Sequence, residues 1–594
     1  MNYCWDLSVL YNGLHTDEYL ADKNALVGYV SDLLSLSETI GKIADNKIID
    51  SYLKINEQLL LTEERLLSYL NMRIATDASD LEAKSQFGII LDIVSGVAKS
   101  ESEIESYIGK LEDLDSIIAS NPFFTQYKYL LSNLRRDSKY ILKGGEEQIL
   151  AKTNAYAGQA WSDLQSTLTS SLKIPFNGEV LTLSDIRNLA FDADKNVRKS
   201  AYEAELKAYD EIKESVAFSL NSIKMQAITE AELRGYSSVE DKTLKSSRVK
   251  KQTLDALLKA IKNSLPDFWR YFKKKAQILG DTNGLPWYDL FAPVSCSFDE
   301  QVFTPESAKE YLLKVFLPVD KELSHMIEEA FDNNWIDFYP RVGKTGGAFC
   351  MELLEQRQSR ILTNFGGKFT DVMTLAHELG HAFHNLNIYD NPPLATSYSM
   401  PVAETASNFN EVIVMDYALK NAKSKGEKLT LLESKLSDTA QIICDIYSRY
   451  LFEKSVIDER KEKFNDANGF GEKMKIAQLE SYGDGLDKNF LHPYMWICKS
   501  HYYDASLSFY NWPYAFGGLF AQGLFAEYKR RGQGFIPYYK KMLKATPVND
   551  AEDVAKIVGV DLSSEKFWNE GLSYFKNLID EFCNLSDELF NLKA

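Results

Sequence analysis

Residues 374–384 read Thr-Leu-Ala-His-Glu-Leu-Gly-His-Ala-Phe-His. His377 and His381 stand four positions apart, one helical turn, so both imidazoles can reach one metal ion from the same face. Glu378 points beside them, where a carboxylate can take a proton from a water that the ion activates. Val372, Met373, Leu375, Ala376, Leu379, Ala382 and Phe383 surround this polar stripe, as expected of a helix buried in a core. Histidine is scarce: the chain has seven, at 15, 325, 377, 381, 384, 492 and 501, and three of them fall within eight residues. The pattern predicts a zinc-hydrolase helix rather than a chance pair.

A zinc hydrolase needs a third protein ligand and one open position. Asn385 to Ser399 carries Asn391-Pro392-Pro393 and reads as a loop. A second helix is expected from about Pro401, in PVAETASNFNEVIVMDYALKNA, with Glu404, Glu411 and Asp416 as its acids. Glu404 lies in the first turn, just behind the loop that brings the chain back, and is the expected third ligand. Glu411, two turns further along the same face, is a candidate to hydrogen-bond the far nitrogen of a ligating histidine.

Gly380 sits inside the first helix, where glycine costs about 1 kcal/mol relative to alanine. The expected compensation is close approach of another backbone or of substrate. His384 lies nearly one turn past His381. A fourth ligand there would close the open position, so a packing or supporting role is expected.

TLAHELGHAFH at 374–384 and PVAETASNFNE at 401–411 resemble the oligoendopeptidase F branch of the thimet oligopeptidase family. The resemblance continues in 176–204 (FNGEVLTLSDIRNLAFDADKNVRKSAYEA), 284–294, 344–350 and 364–378, and so spans at least residues 176–518. It implies His377, His381 and Glu404 as ligands of one Zn2+ and Glu378 as catalytic base. It also implies a two-lobed helical ellipsoid whose deep channel admits short flexible peptides and excludes folded proteins.

Residues 501–518 read HYYDASLSFYNWPYAFGG. A zinc peptidase must stabilise an oxyanion, and phenol or imidazole donors can do so. The family places a histidine followed by tyrosines at about this point. His501 and Tyr510 match that spacing best, with Tyr514 next, while Trp512 stands where tyrosine is common. KTGGAFC at 344–350 pairs glycines before a short apolar run, which suggests a strand edge open to strand addition by a peptide, or an ordinary turn.

Lys plus Arg number 67 and Asp plus Glu 85, a net charge of −18, which argues against nucleic acid and anionic membrane surfaces as partners. The six cysteines, at 4, 296, 350, 444, 498 and 583, show no paired spacing and suggest free thiols in a reducing compartment. The first 20 residues carry Asp6, Asp17 and Glu18 and lack a basic start with an apolar run. No apolar stretch approaches ~20 residues. The expectation is a cytoplasmic enzyme acting on short peptides, of unspecified oligomeric state.

The chain reads as mainly α. Tyr52, Ile55, Leu59, Leu66 and Leu70 fit one face of a long helix. Leu254, Leu257, Leu258, Ile261 and Leu265 fit another, expected to end near Pro266. Strands are expected at 335–350, 359–364 and 176–182, so that a small β element lies near the zinc helix. Three segments are expected: a helical N-terminal segment 1–110, an oligoendopeptidase F-type N-terminal domain 111–190, and a zinc peptidase catalytic domain 191–594. The functional expectation is zinc-dependent endopeptidase action. A zinc exopeptidase and a non-catalytic helical protein with structural zinc remain as alternatives, with a zinc hydrolase of non-peptide amides as a minor one.

Overall fold

The structure is a computed structural model that describes residues 3–142, 145–294, 301–504 and 506–592. Helices dominate it, as the hydrophobic periodicity requires. The long N-terminal helix runs Asp45–Thr76 and buries Tyr52, Leu59, Leu66 and Leu70 along one stripe, with Ile55 at its margin. The helix Lys251–Leu279 buries Leu254, Leu257, Ile261 and Leu265 but does not stop at Pro266. Phe268, Tyr271, Phe272 and Ala276 continue the buried face beyond the proline. Their burial offsets the backbone hydrogen bond that proline removes, a cost of roughly 3 kcal/mol.

Two compact units divide the chain. The first comprises 1–141, 301–414 and 527–559; the second comprises 142–300, 415–526 and 560–594. The first has a core of N-terminal helices, with Leu26, Leu53, Leu66 and Ile104 fully buried, joined by Leu353 and Leu362 of a small sheet. The second has a core around Leu220, Phe452, Phe470, Trp496 and Tyr503.

The sheet of the first unit has three strands. Gln358–Leu362 lies in the centre, antiparallel to Phe349–Leu353 and parallel to the short strand Ile336–Asp337. Phe349–Leu353 is therefore an edge strand. A separate hairpin pairs Ile174–Phe176 with Glu179–Leu181 through Asn177-Gly178, both at positive φ, as a tight two-residue turn demands. The expected strand regions thus hold short strands, and the small sheet lies against the helix that carries the histidines.

The stretch leading into the edge strand is pinned by charge. Lys344, whose side chain is buried, donates to the Asp337 carboxylate at 2.6 Å and to the Thr363 carbonyl at 2.6 Å. Asn364 donates to the carbonyls of Thr345 and Gly347, both at 2.9 Å. The glycine pair of KTGGAFC is thereby a fixed approach to the strand, with Gly347 at φ +80°.

Candidate metal centre

The histidine helix runs Phe369–Ile388. Its first turn is closed by Asp371, which accepts from the backbone N–H of Lys368 at 2.8 Å and of Gly366 at 2.9 Å. A carboxylate is favoured there by the helix dipole. Leu375, Ala376, Leu379 and Phe383 bury the rest of the surface.

The second helix is broken where the sequence suggested a continuous first turn. A short turn spans Met400–Ala403, Glu404 stands at the joint with φ −87° and ψ 10°, and the long helix runs Thr405–Asn421. The Ser407 hydroxyl donates to Glu404 Oε2 at 2.8 Å and to its carbonyl oxygen at 3.1 Å, while that carbonyl also accepts the Asn408 N–H at 3.0 Å to start the long helix.

Gly380 explains how closely the two helices meet. A Cβ at that position would lie 2.5 Å from Ser407 Cα and 2.6 Å from the Ala406 carbonyl oxygen. The compensation for glycine is thus close approach of another backbone. Asn410 adds a hydrogen bond to the Ala376 carbonyl at 3.1 Å.

This contact brings three donor atoms together. His377 Nε2 and His381 Nε2 are 3.2 Å apart, and Glu404 Oε2 lies 3.3 Å from the first and 3.4 Å from the second. The edge of a tetrahedron with arms of ~2.05 Å, the usual Zn–N and Zn–O length, is about 3.3 Å. The triangle therefore fits one face of a tetrahedral metal site. No other group of three or more His, Cys, Asp or Glu side chains among the described residues meets the same spacing.

The Glu411 carboxylate accepts from the other nitrogen of His377: Nδ1 and Oε1 are 2.6 Å apart. This is the contact expected of a carboxylate that orients a ligating histidine. Burial opposes a charge on His377, but Glu404 and Glu411 outweigh it and push its pKa up to about 10. For Glu404 burial acts upward, while His377 and His381 hold the carboxyl far below the usual range. Glu378 is 6% exposed, and its pKa is raised by that burial against the pull of the two histidines.

His384 is fully buried, stacks on Tyr398 with ring centres 4.2 Å apart, and places Nε2 2.8 Å from Thr546 Oγ1. It packs beneath the site and is not among the clustered donors.

A cavity of about 430 Å3 opens over the three donors and Glu378. Phe349, Cys350 and Glu352 of the edge strand also line it, with Ala348 just before the strand; Cys350 and Glu352 stand two apart and so share one strand face. Burial, with Glu64 nearby, raises the Glu352 carboxyl to about 8. The sequence reading named KTGGAFC but missed Glu352 and Tyr398 as lining residues. Period-two alternation from Ala348 was the available signal for Glu352; none marked Tyr398. A larger hollow of about 700 Å3 near Tyr129 and Asn391 contains one carboxylate, so cavity size alone does not locate the chemistry.

His501, Tyr510 and Tyr514 belong to the second unit and form a cluster of their own. His501 and Tyr510 stack with centres 5.0 Å apart and planes 16° apart. Tyr514 meets His501 at 6.2 Å and Tyr510 at 5.6 Å, both edge-on. Burial, then Arg449 and Lys499, lowers the His501 pKa. Trp512 is buried in the core and is not part of the ring cluster.

A family model described as "Peptidase family M3" matches residues 188–574, and one described as "Oligopeptidase F" matches residues 110–174. The chain belongs to peptidase family M3. Membership makes it a metalloendopeptidase, and the expected resemblance to the oligoendopeptidase F branch is borne out. It is 24% identical over 566 residues to oligopeptidase PepF of Bacillus subtilis, covering 92% of this chain and 82% of that protein. It is 27% identical over 631 residues to an oligoendopeptidase F homolog of Lactococcus lactis, covering 98% and 97%. A solved structure from Chlamydophila abortus shares the fold with a TM-score of 0.83 and 21% identity, covering 98% of each chain. The mainly α fold expected of the M3 chain is thus the fold observed.

Proposed function

We propose that this M3 enzyme is a zinc endopeptidase that cleaves internal bonds of short, unstructured peptides, with Glu378 as general base. The observation that carries the proposal is the triangle of His377 Nε2, His381 Nε2 and Glu404 Oε2 with Glu378 buried beside it. His377, His381 and Glu404 would hold the ion, and the three-donor set leaves a fourth position for water or substrate. Zinc, when bound, supplies a Lewis acid that polarises the scissile carbonyl and lowers the pKa of a water to about 7.

The protein's own groups do the rest. Glu411 fixes the ring of His377 through Nδ1. The Glu378 carboxylate accepts the proton of the attacking water and delivers it to the leaving amine. The edge strand Phe349–Leu353 offers unpaired backbone groups to an extended peptide, which fits a substrate that enters without folded structure. From the family resemblance we assign hydrogen-bond donation to the developing oxyanion to His501 and Tyr510, with Tyr514 as the second phenol.

We place the enzyme in the cytoplasm, a reading supported by five described cysteines that form no disulfide; Cys296 lies outside the described residues. Among the described residues no helix is long and apolar enough to cross a membrane.

The test is an internally quenched short peptide blocked at both ends, assayed with and without chelator and after zinc is restored. Internal cleavage that the chelator abolishes and zinc restores is expected. Cleavage of free but not blocked peptides would make the enzyme an exopeptidase. Tight stoichiometric zinc without any cleavage would make the site structural.

A further inference from the structure

The second unit contains a buried ion pair that the proposed chemistry does not use. Lys224, on the helix Lys213–Arg234, places Nζ 2.6 Å from Oε1 of Glu453, on the helix Ile446–Arg460. Both side chains are 1% exposed. Removing two charges from water is costly, and their mutual attraction often does no more than offset it. A pair buried this deeply calls for a reason other than stability.

The remaining contacts of Glu453 supply one. The same Oε1 accepts the backbone N–H of Phe509 at 3.1 Å, and Oε2 accepts from the Asn511 side-chain amide at 3.4 Å. Tyr510 is the residue between these two anchors. Phe509 has φ +55°, a left-handed conformation that an aromatic residue seldom adopts. Such strain persists only where the surroundings over-determine it. Here they do: the Thr243 hydroxyl donates to the Ser508 carbonyl at 2.8 Å, and the Phe509 ring packs against Tyr450 with centres 5.6 Å apart. The outcome is a half-buried Tyr510 ring laid flat on His501.

We infer that the Lys224–Glu453 pair is a positioning device for Tyr510. Glu453 grips the strained backbone N–H before the tyrosine and the side-chain amide after it, and Lys224 locks the Glu453 carboxylate in the orientation that accepts from both. Neither residue touches substrate. The inference rests on the reading of Tyr510 as an oxyanion donor, and deepens it by naming what holds that donor still.

The test uses the zinc-loaded full chain. Lys224→Met/Glu453→Leu replaces the pair with apolar residues of similar volume, a change that folded proteins often tolerate. We expect unchanged zinc content, a kcat about a hundredfold lower, as for a catalytic group displaced by ~1 Å, and KM within about twofold. The ring-proton shifts of His501, which sense the stacked tyrosine, should move. Tyr510→Phe added to this variant should cost nothing more. Glu453→Gln keeps an acceptor oxygen and should restore kcat to within about tenfold of the parent enzyme.

A folded Lys224→Met/Glu453→Leu enzyme with parent kcat or unmoved His501 signals overturns the proposal. So does a loss that multiplies with that of Tyr510→Phe. If the paired variant does not fold, the cycle of Asn511→Ala, which removes one of the two anchors, with Tyr510→Phe decides in the same way. Tyr510→Phe alone separates the two layers. If it loses kcat while the pair variant does not, the oxyanion reading stands and the positioning role falls. If it keeps parent kcat, the oxyanion reading fails, and the positioning role with it.

Discussion

His377 Nδ1 and Glu411 Oε1 lie 2.6 Å apart, so the second helix reaches the first histidine from behind while Glu404 approaches it from the front. A ring held from both sides needs no reorientation when an ion arrives. Glu411→Gln should therefore keep the fold and weaken zinc binding about 10- to 100-fold, the usual effect of losing a carboxylate behind a ligating histidine. Competition against a calibrated chelator measures it; unchanged affinity would remove Glu411 from the site.

Glu378→Gln separates binding from chemistry. The amide keeps the shape but cannot accept the water's proton. Zinc content should stay stoichiometric while kcat falls by about 10^2- to 10^4-fold, the usual contribution of a general base. Substantial turnover in that variant would rule out Glu378 as the base.

Glu404→Ala should lower the zinc content of purified protein, because only His377 and His381 then remain of the triangle. Elemental analysis after dialysis is the measurement. Full occupancy would transfer the ligand role to Glu411.

Gly380→Ala pits helix propensity against packing. Alanine gains about 1 kcal/mol in a free helix, but its Cβ would meet Ser407 Cα and the Ala406 carbonyl inside 2.7 Å, and neither is a movable side-chain end. Overpacking of this kind costs ~1–3 kcal/mol, so thermal stability should fall. Gly28→Ala, on the helix Asp17–Ser37 with nothing within 4 Å, should instead raise stability slightly. Equal responses at the two glycines would contradict the close helix contact.

His384 makes part of the stability depend on pH. Burial, with His381 adding to it, pushes its pKa from 6.5 down to about 3. Between those values the unfolded chain binds the proton that the folded one refuses. The contribution is present in full above about 6.5 and is lost as pH falls toward 3. His384→Gln should flatten this part of the acid decline in denaturant midpoints measured from pH 7 to 4. Parallel curves for the two proteins would refute it.

The histidine pair was legible because helical periodicity alone places residues four apart on one face. Glu404 was legible as an acid behind a proline-marked loop, but the break in the helix at that residue was not. At that break Ser407 contacts Glu404 locally, a detail sequence patterns do not encode. Pro266 misled for a related reason: the buried aromatic residues after it outweigh a local rule. Gly380 announced a close contact without naming the partner. The ring cluster of His501, Tyr510 and Tyr514 was suggested by resemblance, whereas its supports, Lys224 and Glu453, are 229 positions apart and share no motif. The interleaving of the two units was equally hidden, since contacts over hundreds of residues leave no period in the chain.

The three proposed ligands lie within a single run of chain from His377 to Glu404, wholly inside the first unit. An ion shared among them ties off one short loop, the connection from His381 to Glu404. Closing so short a loop costs little chain entropy compared with bridging distant segments. The metal is then a local staple, able to seat as soon as two neighbouring helices meet, and its removal should loosen this corner of the molecule while leaving the distant helices standing.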